Sequence, residues 1–204
     1  MKLFYMPNTC SMGIHLLLEE IGKPYEKEKI DFASQQQYSE TYKALNPKSK
    51  VPALQVDNGQ VLTEWPAIAF YLARSNPEAK LLPDDALAQA RVMELVDYIT
   101  ATVHMQGFTR FARPGNFSPD ESTHEAVKAR GLELFGNGFK IIAPQLKQPY
   151  ALGDFTIADA ALFYVEHWAV RRAGLTLPDA CQRHYNTMLE RPAVKRMLER
   201  EAAA

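Results

Sequence analysis

Apolar positions along this chain recur with two different periods, and the change from one to the other divides it. Residues 2–6 form a short, mostly apolar run that predicts a strand. Ile14, Leu17, Leu18 and Ile21 then follow the i, i+3, i+4, i+7 spacing of one helical face, so residues 11–21 read as a helix. Gly22 and Pro24 stop it. Residues 25–31 read as a second strand and residues 36–45 as a short polar helix, broken at Asn46-Pro47. Residues 51–56 give a third strand. Asp57-Asn58-Gly59-Gln60 carries the Asn-Gly signal of a tight hairpin, and Val61-Leu62 returns antiparallel. Thr63-Glu64-Trp65-Pro66 opens a helix that Asn76-Pro77 ends. The order is β-α-β-α-β-β-α: a parallel pair extended by an antiparallel hairpin, with helices on the faces.

Beyond a linker at 78–86 the strand period does not return. A long helical pattern runs from Ala86 to about Ala112, with Val92, Leu95, Val96, Ile99 and Val103 on one face. Ser118-Pro119-Asp120-Glu121 reads as a helix start, and that helix is expected to reach about Leu146, loosened at Gly136 and Gly138. Thr156 and Asp159 form a second capping box, opening a helix to Ala173 that is apolar nearly all round and therefore expected at the centre of its domain. Two shorter helices, near 179–190 and 192–202, follow. The expected fold class is thus α/β plus all-α: a thioredoxin-like domain over 1–77, then an all-helical domain over 87–204.

Composition narrows the function classes. Apolar residues are 47% and charged residues 23% of the 204, with a net charge of −1, so there is neither the basic surface that nucleic acid requires nor a run long enough to span a membrane. The chain opens on a strand without signal-peptide regions, and Cys10 and Cys181 are too far apart in sequence to suggest a disulfide framework; both point to a reducing cytoplasm. His15, His104, His124, His167 and His184 are scattered without ligand spacing, so no metal is expected.

Cys10 carries the chemistry. It lies between the first strand and the first helix, where unpaired N–H groups and the positive end of the helix dipole favour a thiolate, either its own or one brought by a ligand. A lone Cys can equally be a small buried residue at a strand end; the strand–turn–helix context favours sulfur chemistry. Tyr5 and Ser11 are alternative partners for such a thiolate. Tyr5 sits inside a strand and suits packing, and Ser11 suits a helix start.

Five segments in register now resemble the cytosolic glutathione transferases, and most nearly their bacterial beta class: Met1 to Tyr5 with Cys10-Ser11, Asn46 to Leu54, Leu62-Thr63-Glu64, Ala67 to Ala73, and Phe155 to Asp159. The likeness spans essentially the whole chain. It implies glutathione as co-substrate, no metal, a homodimer and a small hydrophobic electrophile. It also implies a cis bond at Val51-Pro52, whose backbone would pair with the cysteinyl part of glutathione. Glu64 would bind the γ-glutamyl end and residue 65 would offer its backbone N–H. The family usually has a small residue at 65; this chain has Trp65, whose ring could serve a pocket wall or, with Tyr71, a two-fold interface. His104 would face Cys10. Counted from Asp97 it falls at the family's place; counted back from Gly107-Phe108 it falls one residue early, as if one residue were inserted. Asp97 replaces an Asn that reaches toward glutathione. Gln35 or Gln36 stands where a basic residue is common, and Lys50 is the candidate for the glycyl carboxylate. Phe108, Phe111 and Trp168 are candidates for the electrophile pocket, and Thr156 and Asp159 have a folding role only.

The resemblance therefore implies a glutathione transferase with thiol–disulfide or peroxidase side activity through Cys10. Without a second Cys in Cys10-Ser11-Met12-Gly13, any redox cycle must use external glutathione. The alternatives are a non-catalytic binding or regulatory subunit of the same fold, and a glutathione-dependent isomerase or dehalogenase.

Overall fold

The computed structural model describes residues 1–203, which divide into two compact units: Met1–Leu82 together with the chain from Leu189 onward, and Pro83–Met188.

In the first unit, β1 (Lys2–Tyr5), β2 (Glu26–Lys29), β3 (Ala53–Gln55) and β4 (Val61–Thr63) form one sheet in the order β2-β1-β3-β4. β1 runs parallel to β2, with Lys2 opposite Glu26 and Tyr5 opposite Lys29. It runs antiparallel to β3, with Leu3 opposite Leu54, and β3 pairs antiparallel with β4. Side chains of β1 alternate between faces. Tyr5 meets His15 of α1 (Ser11–Ile21) edge-on, while Phe4 packs with Ile30, Tyr42, Val51 and Ala53. Both faces of this central strand are covered, which explains its apolar run.

The elements are shorter than the periodicity predicts where side chains or prolines intervene. The helix expected over 36–45 divides into a 3₁₀ turn, Gln36–Tyr38, and α2 (Glu40–Leu45); the Ser39 hydroxyl between them accepts the Tyr42 N–H at 3.2 Å. β3 begins at Ala53 because Val51-Pro52 is a cis turn, and α3 is Trp65–Ser75.

The sequence places the whole chain from residue 87 onward in one helical domain, but the C-terminal helix belongs with the first unit. α8 (Asp179–Glu190) stays in the second unit up to Met188, whereas α9 (Pro192–Ala202) lies on α1. Glu19 of α1 accepts hydrogen bonds from Tyr25, Arg196 and Arg200, and the Arg191 guanidinium forks onto Glu20 at 2.7 and 2.8 Å. Attachments so distant in the chain leave no local pattern.

The second unit is helical. α4 (Ala86–Asp97) continues without a break into a π-helical stretch, Tyr98–Phe108, and then α5 (Thr109–Ala112). α6 is His124–Ile142 and begins later than the Ser118 signal predicts: Asp120, not Ser118, caps a leading 3₁₀ turn, with its carboxylate accepting the Ser122 N–H at 2.9 Å. The helix is not loosened at its glycines. A Cβ on Gly138 would lie 2.7 Å from Val103, and one on Gly107 would lie 2.8 Å from the Phe135 backbone, so both glycines allow the two helices to approach closely. α7 (Ile157–Trp168) is buried nearly all round, as its sequence predicts. No helix among the described residues is long and apolar enough to cross a membrane.

Candidate functional site

Cys10 occupies the N-cap position of α1, and its own side chain does not cap the helix; the Ser11 N–H donates instead to the Thr9 hydroxyl at 3.4 Å. Its thiol donates to the carbonyl of Val51 at 3.5 Å, immediately before the cis bond to Pro52. Cys10 and the cis-proline turn therefore meet directly. A hydrogen bond from S–H to a carbonyl favours the protonated thiol.

The Ser11 hydroxyl is engaged within its own loop. The residue is 0% exposed. Its hydroxyl accepts the Met6 N–H at 3.2 Å, donates to the Met6 carbonyl at 3.0 Å and lies 2.9 Å from the Thr9 hydroxyl. These bonds close the loop from β1 into α1. Asn8 passes through that loop with φ +58, and its N–H donates to Glu201 of α9 at 2.9 Å. Tyr5 is likewise buried in the sheet, with Lys27 over its ring, and burial raises its hydroxyl pKa. It packs.

The turn that carries Val51 is held from behind. The Lys50 carbonyl accepts the Tyr42 hydroxyl and the Asn46 side-chain amide, each at 2.7 Å. The Lys50 and Gln35 side chains are exposed, and Gln35 has φ +59 at the start of a 3₁₀ turn. Glu64 stands at the N-terminus of α3 with φ +72, a conformation that costs a non-glycine residue of order 1 kcal/mol or more and is found where function over-determines the backbone. Its carboxylate does not cap α3; it points outward and meets the Lys48 ammonium at 2.6 Å. Lys48 also reaches the Thr63 hydroxyl at 2.8 Å. Sequence reasoning passed over Lys48 in favour of Lys50. Its one local sign is the pair of lysines flanking Ser49 after the Asn46-Pro47 break.

Trp65 is turned inward and is 5% exposed, which withdraws its ring from a two-fold interface. Its indole N–H donates to the Cys10 carbonyl at 3.1 Å.

The remaining candidates lie in the helical unit. His104 is half-buried, with Nδ1 3.3 Å from the Tyr164 hydroxyl and its ring edge-on to Trp168 at 4.9 Å. With Tyr164 as donor, Nε2 carries the proton. Tyr164 was not foreseen; it is one apolar-looking position in the buried run of α7. The one-residue offset around His104 is explained by the π-helical stretch. The Thr109 N–H reaches back five residues to the His104 carbonyl instead of four, and a wide turn of this kind absorbs an inserted residue without breaking the helix. Asp97 is exposed at the end of α4. Phe108 stacks on Trp168 at 4.3 Å and contacts Phe135 at 5.3 Å. Both Phe108 and Trp168 are buried core residues rather than open wall, and half-buried Phe111 alone retains an exposed surface.

Known proteins resemble this chain over nearly its whole length and in its fold. Residues 1–74 match the model of the glutathione S-transferase N-terminal domain. The chain is 35% identical to glutathione S-transferase GstA of Escherichia coli O157:H7 across 98% of each protein. It is 34% identical to maleylacetoacetate isomerase of Pseudomonas aeruginosa over 51% of this chain and 50% of that protein. Among solved structures, a glutathione transferase homolog from Sulfitobacter with bound glutathione superposes with a TM-score of 0.91 at 29% identity, covering 98% of this chain and 97% of that one. With 35% identity to a glutathione S-transferase along 98% of each protein, and with Cys10, the cis Val51-Pro52 turn and Glu64 gathered in a thioredoxin-like unit, the chain belongs to the glutathione S-transferase family.

Proposed function

We propose that the turn at Cys10 holds the thiol of glutathione and that the enzyme directs this thiol at small hydrophobic electrophiles. The observation that carries the reading is the contact of the Cys10 thiol with the Val51 carbonyl ahead of cis Pro52. It brings a sulfur centre at a helix N-terminus to a backbone edge on which a peptide-like ligand can pair. In this reading the Val51 backbone pairs with the cysteinyl unit of glutathione. Glu64 takes its ammonium in competition with Lys48, and Lys50 is the candidate for its glycyl carboxylate, with Gln35 and Asp97 as further polar contacts. In conjugation, glutathione loses its thiol proton, its sulfur forms a bond to the electrophilic carbon, and the leaving group departs with the electron pair. His104, fixed by Tyr164, is the candidate for holding the proton.

Cys10 adds thiol–disulfide exchange. Its thiolate attacks a glutathione mixed disulfide, forms Cys10–S–S–glutathione and expels the other thiolate; a second glutathione thiolate then releases glutathione disulfide and restores Cys10. A homodimer in the cytoplasm is the expected setting, to be tested by sedimentation.

The test is conjugation of 1-chloro-2,4-dinitrobenzene by wild type, Cys10→Ala and Ser11→Ala, with mass spectrometry for the glutathione adduct. The reading requires Cys10→Ala to lose the adduct and most of the activity. Full activity in Cys10→Ala would refute it. The likeness of about half the chain to maleylacetoacetate isomerase favours a second reading, glutathione-dependent cis–trans isomerisation of an unsaturated diacid, tested by turnover of maleylacetoacetate.

A further inference from the structure

The Trp65 side chain makes a specific contact. The indole N–H donates to the Cys10 carbonyl at 3.1 Å, and the same oxygen accepts the Gly13 N–H from the first turn of α1 at 3.1 Å. One oxygen thereby ties the first turn of α1 to the first residue of α3. On its other side Cys10 is held through the thiol, which donates to Val51, whose turn is anchored by Tyr42 and Asn46 at the Lys50 carbonyl. Cys10 is thus held both by α3 and by the cis-proline turn. Because α3 begins directly after Glu64, the indole also links the residue assigned to the glutathione thiol with the one assigned to its γ-glutamyl end.

We infer that Trp65 is a positioning residue: its indole N–H anchors the Cys10 carbonyl to the start of α3, and so sets where the thiol stands relative to Glu64 and Val51. This rests on the assignment of Cys10 and Glu64 to the glutathione site. Two consequences follow. The thiol loses its alignment when the N–H is removed, even if the ring remains. A side chain turned inward also presents no polar group outward at position 65, so the γ-glutamyl carboxylate relies there on backbone alone.

The test uses the full chain. Trp65→Phe keeps a buried aromatic ring and removes the donor. The readouts are kcat and KM for glutathione with 1-chloro-2,4-dinitrobenzene, calorimetric affinity for S-methylglutathione, and the rate of Cys10 alkylation by iodoacetamide at pH 7. A neutral hydrogen bond of ordinary strength predicts a fall in kcat of roughly fivefold. S-methylglutathione affinity stays within about twofold, because Glu64 and the Val51 backbone are intact. Alkylation becomes faster by about the same factor as the kcat loss, because the thiol leaves the carbonyl that favours its protonated form. Trp65→Ser, which adds an outward-capable hydroxyl, lowers KM for glutathione while kcat falls as in Trp65→Phe.

Unchanged kcat and alkylation rate in folded Trp65→Phe would overturn the inference. So would kcat and S-methylglutathione affinity falling together by one factor, which marks a packing residue. If Trp65→Phe does not fold, the same measurements are made with benzothienylalanine at 65, whose ring keeps the indole shape with sulfur in place of N–H. Failure of the wild type to bind S-methylglutathione would instead refute the site assignment, and the inference with it.

Discussion

Two helix starts in this protein are built in opposite ways. α7 begins at a complete cap: the Thr156 hydroxyl accepts the Ala158 N–H, and Asp159 accepts the N–H groups of Thr156 and Ala151, each at 2.7 Å. All of these groups are buried, and His184 adds a bond to Asp159 at 3.1 Å. α1 begins at Cys10, whose own side chain does not cap it; the first N–H of the helix, that of Ser11, meets the Thr9 hydroxyl at 3.4 Å. α3 begins at Glu64 with no side-chain cap. Every helix starts with N–H groups that lack an internal partner. Where side chains of the chain itself satisfy them, the helix end contributes stability. Where they do not, the helix end can receive a ligand carrying negative charge. Within α1, Ser11 sharpens the contrast, since its hydroxyl turns back to Met6 and Thr9 and does not cap the helix.

The contrast can be broken by substitutions at either end. Asp159→Ala removes the cap and leaves the His184 and Glu166 side chains buried with an incomplete network; we expect a loss of about 3 kcal/mol in urea unfolding. A loss under about 1 kcal/mol would show that the cap is dispensable.

The same cluster predicts a pH dependence. Burial opposes the His184 charge, but Glu166 and Asp159 outweigh it and push the imidazole up to about 10. A raised value means that the folded state holds the proton more tightly than the unfolded one, whose value is near 6.5. The His184 contribution is therefore complete below about pH 6.5 and is lost progressively as pH rises to about 10. Unfolding free energy followed from pH 6.5 to 10 should decline in wild type and be flatter in His184→Gln.

At the Cys10 end the effects move from stability to activity. Cys10→Ala should lower conjugation by about 100-fold, equivalent to about 2.7 kcal/mol, while the unfolding midpoint shifts little. A stability loss as large as that of Asp159→Ala would make Cys10 a structural residue. Ser11→Ala is expected to have the smallest effect: about 1–2 kcal/mol of stability from stranding the Met6 N–H, with kcat per folded molecule nearly unchanged. A dead but stable Ser11→Ala would erase the distinction drawn between the two neighbouring residues.

How much of this was legible depends on range. The α1 face, the Asn-Gly hairpin and the Thr156–Asp159 cap are each specified within a few residues, and each stands where its pattern places it. The cis bond at Val51-Pro52 has no local signature and was expected only from the family likeness. The Ser118 start failed because Asp120, two residues on, offers a competing cap. Phe108 and Trp168 are indistinguishable in sequence from pocket residues, because large aromatic side chains serve both core and pocket.

The sequence by itself determined the two-part plan and the helix and strand order, and it singled out Cys10 as the candidate for sulfur chemistry. Those follow from backbone propensities and side-chain periods that act over three or four residues. Tertiary structure alone decided that Trp65 faces Cys10 instead of solvent, that Lys48 and not Lys50 meets Glu64, and that α9 returns to α1. Each depends on a donor and an acceptor brought together by the fold from different elements, and no spacing along the chain encodes that meeting.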